Sequence, residues 1–500
     1  MPLLRKWGWA AFGTVMLALG FSSAARVPIV GDDFQALQEA FSFGQGDLGT
    51  TVVYGWEAGM KAGHFNPVGQ LLGAVYHFAA YDLSVVFDAD PQVFHALAGF
   101  VLMWLVTLAA SFALVQAGGL VRNRDALPLW RVFALVAAIV AVTVQLHPWS
   151  NDPVTTYTMA GLGSAAIAFL LLALALRAMT EGTSAWFGPV SVGLLGVFAV
   201  TYYEMLVAAV AATAVVYVGS VVPKSERTRA RVRRSVILVA SGVVLPAIVF
   251  IGGRLLAAPA ATSGYTGTSV SLSPEAFRTL AYSLVSTIPG GAWPYSLRRI
   301  DPMELSRPAI VVAGLLCIGI LALAIIWWRS TPLRLTPTKR LWIPGAALLT
   351  LWVLSVASHA FTPKYIAEIT APGLVYLFYA VGLFCAAVGL ATGVLMLSRV
   401  RLRTVSVIAL PLLCVFALMQ QSVNWTISDV MRDAYSGNAQ LAALSTDDGT
   451  TEAERCAALD SWIGKPWPDY YRDSVATNIE KNYQRVFNEP FCGLSSAPPR

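Results

Sequence analysis

Charge is scarce in this chain: Asp, Glu, Lys and Arg together make 12% of its 500 residues, against 56% hydrophobic. So much apolar surface is more than a water-soluble core can use, which excludes a soluble enzyme or binding module and implies an all-α polytopic membrane protein. Cysteine is scarce too, at 5 residues. Cys317, Cys385 and Cys414 fall inside long apolar runs, where a thiol is a small apolar filler. Cys456 and Cys492 lie in the C-terminal tail, where an exported segment keeps a disulfide, and they are expected to pair. There is no repeat of fixed period and no low-complexity tract beyond a Gly/Ser/Thr-rich piece at 261–273. Span centres are nearly free of charge, which together with the missing repeat argues against a secondary transporter or lipid flippase.

What is present is a series of apolar runs near the roughly 20 residues needed to cross a bilayer, at about 7–29, 93–118, 131–147, 157–176, 187–203, 205–222, 235–256, 309–328, 341–359, 373–398 and 404–421. They predict about eleven spans. The stretch between Phe187 and Val222 is divided at Tyr202-Tyr203-Glu204, because about 35 residues exceed one span and an internal Glu is best tolerated at a membrane face. One long tilted helix is the alternative there.

Basic residues alternate with these runs. Arg5 and Lys6, then Arg122, Arg124 and Arg131, then Arg177, then Lys224 with Arg227, Arg229, Arg231, Arg233 and Arg234, then Arg329, Arg334, Lys339 and Arg340, then Arg399, Arg401 and Arg403 mark the cytoplasmic loops. Only Asp125, Glu181 and Glu226 among the acids share those loops. The expected protein is therefore multi-pass, with the N-terminus cytoplasmic and the C-terminus extracytoplasmic. The net charge of +6 is a topological signal and implies no nucleic acid partner. Arg5-Lys6 with an apolar stretch and Ser22-Ser23-Ala24-Ala25 after it also resembles a cleavable signal peptide, and cleaved or not it delivers the loop from Val30 onward to the outside.

Two units are expected: a transmembrane module over 1–421, with large external loops at 30–92 and 257–308, and a small, mainly helical external cap over 422–500. In the first loop Phe34 to Phe41 and Val68 to Tyr81 read as interfacial amphipathic helices, the first beginning at Asp32. Its acidic pair, Gly31-Asp32-Asp33-Phe34, sits at the mouth of the first span, where carboxylates are costly and mark a functional site. If the pair opens a helix, the two side chains diverge by roughly 100°, and Asp32 is the one expected to point at a substrate. Conspicuous polar residues on the same face include Lys61, His64, Glu204, Arg254, Arg298, Arg299, His359 and Lys364.

This arrangement resembles the GT-C superfamily of polytopic membrane glycosyltransferases, which includes bacterial O-antigen glucosyltransferases and actinobacterial arabinosyl- and mannosyltransferases. The resemblance rests on the first span, on Asp32-Asp33 opening a long external loop, on two interfacial helices in that loop, and on the short element His64-Phe65-Asn66-Pro67. It implies transfer of a sugar from a polyprenyl phosphate to an external glycan, lipid or cell-wall acceptor, with inversion and with one Asp as general base. A hydroxyl is a poor nucleophile until a carboxylate takes its proton, and a leaving phosphate needs a cation, for which Lys61, Arg254, Arg298, Arg299 and Lys364 are candidates. Asp32, Asp33 and His64 are candidates for a divalent cation, without the spacing of a paired Cys or His site. No Gly-rich phosphate loop is present for a soluble nucleotide sugar.

Each residue has a plainer reading. Asp before a helix is a common N-cap, His64 can bond within its loop, Glu204 can cap a span, and Arg298 and Arg299 can anchor lipid headgroups. A polysaccharide polymerase or ligase is the rival enzyme and would depend on Arg298 and Arg299 rather than on the Asp pair. An inactive scaffold would need neither.

Overall fold

The fold is given by a computed structural model, which describes residues 2–42, 48–120, 127–150, 152–180, 187–222, 228–300, 305–329, 335, 339–397 and 399–493. Arg122, Arg124, Asp125, Asn151, Glu181, Lys224, Glu226, Arg227 and Arg334 lie outside the described residues.

Among the described residues the chain is helical, without strands. In order the α-helices are α1 (Pro2–Phe21), α2 (Gly31–Ser42), α3 (Leu48–Lys61), α4 (Pro67–Phe87), α5 (Pro91–Leu120), α6 (Leu129–Thr143), α7 (Ser164–Met179), α8 (Phe187–Tyr202), α9 (Val207–Gly219), α10 (Arg229–Val239), α11 (Leu245–Ala257), α12 (Pro274–Ser286), α13 (Trp293–Arg299), α14 (Arg307–Arg329), α15 (Trp342–Ala360), α16 (Pro363–Glu368), α17 (Phe378–Met396), α18 (Arg399–Ala434), α19 (Ser436–Leu444), α20 (Glu452–Ile463) and α21 (Asp469–Phe487).

Among the described residues seven helical stretches are long and apolar enough to cross a membrane: Pro91–Leu120, Met159–Met179, Arg229–Ala260, Arg307–Arg329, Trp342–Ala360, Phe378–Met396 and Thr404–Ala434. Trp7–Phe21, Leu129–Thr143, Phe187–Tyr202 and Glu204–Gly219 are apolar but shorter. The burial pattern sorts these helices into layers. α6, α7 and α17 are covered almost all round, whereas α11, α14 and α18 leave rows of Ile, Leu and Val exposed, as helices facing lipid do. The stretch 187–222 is broken rather than continuous: Tyr203 is extended, and a short turn at Glu204–Leu206 restarts the chain as α9.

Two sequence boundaries move. The expected division at 421/422 falls inside α18, which runs unbroken to Ala434. The first loop holds a helix, α3, that its composition hides: Gly49, Gly55 and Gly59 and the run Thr50 to Val53 lower helix propensity. Tertiary packing overrides this, because Gly55 and Gly59 bring α3 close over Gln70 of α4.

The cap has its own core. Trp462, Tyr471, Ile479, Tyr483 and Phe491 pack on Phe34 and Leu37 of α2 and Tyr81 of α4. A disulfide joins Cys456 to Cys492, and Thr451 and Glu454 form a capping box at the start of α20. Hydrogen bonds then sew the cap to the segment around α2: Asn438 Nδ2 donates to the Ile29 carbonyl at 3.2 Å, the Tyr471 hydroxyl to Gly31 at 3.2 Å, and Asn482 to Gln38.

Candidate functional site

Gly31 takes φ of 57°, a left-handed conformation that glycine adopts without strain, and turns the chain into α2. Asp32 and Asp33 therefore occupy the first helical turn, where a carboxylate also favours the helix dipole. Being consecutive on a helix they face different ways.

Asp32 is exposed and lines an open cleft of about 730 Å³. Its Oδ2 accepts a hydrogen bond from the Tyr157 hydroxyl at 2.6 Å. Tyr157 itself holds φ of 57°, rare for a non-glycine residue, and a π-helical turn at Met159–Gly163 follows it. Lys364 lines the same cleft. Its Nζ lies 3.3 Å from the Tyr265 hydroxyl and over the rings of Tyr265, Tyr365 and Tyr376 at 4.9, 5.5 and 5.5 Å. Burial alone would depress Lys364, but the Tyr376 and Tyr265 hydroxyls and the Glu368 carboxylate hold it above the ordinary lysine value, so it stays charged. Burial raises the Glu368 carboxyl; Lys364 opposes this and the charge of Asp32 adds to it. The cleft thus carries an exposed carboxylate, a fixed cation and a second carboxyl inclined to keep its proton.

Asp33 points the other way. It is 6% exposed, its Oδ1 lies 3.8 Å from His77 Nε2, and its Oδ2 lies 3.8 Å from His95 Nε2, too long for hydrogen bonds. Burial pushes its carboxyl up to about 6, against the pull of His95. Burial pushes His77 down to about 3, with His95 acting in the same direction. His95 Nε2 donates to the Thr155 carbonyl at 2.9 Å, and its Nδ1 lies 2.5 Å from the Tyr76 hydroxyl. This network ties α2, α4, α5 and the turn bearing Tyr157 together beneath Asp32.

The remaining candidates separate. His64, Glu204 and Arg254 meet one another: Arg254 Nη1 is 2.8 Å from Glu204 Oε1, His64 Nδ1 is 3.5 Å from Oε2, and the Phe65 amide donates to Oε1 at 3.1 Å. Arg254 also donates to the carbonyls of Gly63 and Thr268, so its guanidinium is engaged in holding two loops rather than turned to the cleft. His359 is buried, its ring 5.0 Å from Tyr365 and 6.1 Å from Tyr376, behind the wall that holds Lys364. Lys61 is exposed at the end of α3, and its carbonyl accepts from Thr262 and Ser263 at 2.9 and 3.1 Å. Arg298 and Arg299 are exposed in the last turn of α13, with Arg299 over Tyr295 at 5.2 Å. Lys61, Arg298 and Arg299 do not line the Asp32 cleft.

Among the described residues no group of three His, Cys, Asp or Glu is placed to hold a metal. His64, considered with the Asp pair as a metal ligand, pairs instead with Glu204, and the histidines beside Asp33 are His77 and His95. Sequence reading missed His77, His95, Tyr157, Tyr265, Tyr376 and Glu368 as members of the site. His77 sits four residues before Tyr81 on a helix read as amphipathic, a weak signal; no local spacing connects Tyr157 or Glu368 to Asp32. Comparison with protein-family models, with curated proteins and with solved structures returned no match.

Proposed function

We propose that this chain is a membrane glycosyltransferase of the GT-C type, transferring a sugar from a polyprenyl phosphate to an extracytoplasmic acceptor. The observation that carries the reading is that the exposed Asp32 carboxylate and the Lys364 ammonium line one open cleft. In this reading the acceptor hydroxyl gives its proton to Asp32, its oxygen forms the new bond to the anomeric carbon, and the anomeric carbon–oxygen bond to phosphate breaks with its electron pair leaving on the lipid phosphate. Lys364 balances that charge, and Glu368 bonds a sugar hydroxyl. Asp33 holds α2 in place from below and takes no proton from substrate. The N-terminus is cytoplasmic, the C-terminus extracytoplasmic, and the membrane is a bacterial inner membrane. Arg298 and Arg299 engage lipid headgroups or the donor phosphate at the rim.

The test is the envelope glycan composition of a deletion strain complemented at matched expression. Asp32→Asn is expected to abolish one specific sugar, with transfer lowered by about 10²–10⁴-fold as for loss of a general base, and Lys364→Ala to weaken it strongly. Full restoration by Asp32→Asn, with loss in Arg298→Ala combined with Arg299→Ala, would replace this reading by a polysaccharide polymerase or ligase.

A further inference from the structure

The cleft has two chemically different walls. One brings Asp32, Gln35, Ser150, Thr266, Glu368 and the Lys364 ammonium, groups that donate or accept hydrogen bonds. The other comes from the cap and its approach: Tyr435, Trp467, Pro468, Tyr470 and Tyr471, without a Lys or Arg. An anionic group finds Lys364 on the polar side but no partner among the cap residues, and a lipid tail gains nothing from the polar side. A pyranose or furanose ring suits both at once, since it has an apolar C–H face to lay on an aromatic ring and hydroxyls around its edge. About 730 Å³ is also within the roughly 300–1,000 Å³ of clefts that take multi-ring ligands.

The cap wall is rigid where rigidity matters. Trp467 Nε1 donates to the Trp462 carbonyl at 2.9 Å, and its ring stacks on Trp462 at 5.2 Å and on Tyr435 at 6.1 Å. Trp462 in turn is 1% exposed and bonds Asn438 at 2.8 Å. Tyr470 follows directly from this buttress and is 73% exposed. A ring held at that exposure beside a cleft is poised for a ligand at little ordering cost.

We propose that the cap wall is a saccharide subsite with Tyr470 as its platform, so that the acceptor is itself a glycan chain. That the bound glycan accepts a sugar rests on the glycosyltransferase reading; the saccharide subsite does not. The cap then measures the incoming chain while α2 supplies the carboxylate, and the two are joined through the Tyr471 to Gly31 hydrogen bond.

The experiment is saturation-transfer NMR on the full chain in nanodiscs of phosphatidylethanolamine and phosphatidylglycerol, which carry no sugar that would compete. The probes are maltotetraose, cellotetraose, α-1,6-mannotetraose and α-1,5-arabinotetraose. At least one is expected to bind wild type, to bind Tyr470→Ala about five- to tenfold more weakly, and to bind Tyr470→Phe nearly as well as wild type. The exposure of Tyr470 means that Tyr470→Ala should melt with the wild type. Equal affinity in Tyr470→Ala, loss in Tyr470→Phe, or no saturation transfer from any of the four probes overturns the subsite. If Asp32→Asn still transfers sugar while Tyr470→Ala loses binding, the general-base reading fails and the subsite stands. If Asp32→Asn is inactive and Tyr470→Ala binds normally, the reverse holds.

Discussion

Asp33 is buried with the half-buried His77 beside it, and desolvation moves their proton affinities in opposite directions. Asp33 is held at about 6 against an ordinary 3.8, so between those values the folded chain keeps a proton that the unfolded chain has lost, and stability falls as pH rises. His77 is held at about 3 against 6.5, so the unfolded chain takes up its proton first, and stability falls as pH drops through that window. Each slope is at most about 1.4 kcal/mol per pH unit, and over the overlap the two offset each other. The thermal midpoint in nanodiscs is therefore expected to change little through this pair from about pH 4 to 6 in the wild type, to climb with pH in Asp33→Asn, and to fall with pH in His77→Asn. Three parallel profiles would show that the pair does not titrate in this way. The prediction belongs to single residues: the Asp33 carboxyl feels the charges of His95 and of its neighbour Asp32 directly.

Helix α4 offers a sharper test of packing than any of the apolar spans. A Cβ at Gly69 would run into the Tyr202 carbonyl, which is backbone and cannot turn aside, while a Cβ at Gly73, one turn later, meets nothing. Gly69→Ala is expected to cost about 1–3 kcal/mol by overpacking, and Gly73→Ala to be neutral or slightly stabilising through helix propensity. Equal melting of the two variants would mean that α4 does not rest on the end of α8. Much of this level was legible in the sequence. Composition gave the helical membrane class, the split at Glu204 marked the α8 to α9 break, and Asp32 marked the start of α2. α3 was not legible, because its glycines serve contact with Gln70 and obscure the helical signal. Of the residues lining the candidate cleft, Asp32 and Lys364 were among those singled out in the sequence, since each is a charge beside an apolar run. Tyr157 and Tyr376 were not, because their place depends on which helix ends converge, and tyrosine at a span end ordinarily reads as interfacial belt.

Across the whole molecule the cap and α2 stabilise each other, and the disulfide closes the loop between α20 and the residues after α21, 36 positions apart. Replacing both Cys456 and Cys492 by Ser is expected to weaken the cap by about 2–4 kcal/mol. Hydrogen exchange should quicken in α20, α21 and also α2, with α6 and α17 unchanged. An unmoved α2 would show that the cap does not support it. The same contacts fix an order of events during synthesis. Gly31 meets Tyr471, 440 positions later, and Gln38 meets Asn482, 444 positions later. At about 5–20 residues per second the ribosome needs about 20–90 s between delivering one partner and the other. A chain interrupted before Asp469 would have all its apolar helices and still lack the clamp on α2. Under the proposed chemistry, unfinished copies in the membrane would be inert, and each molecule would begin work only once α21 had docked.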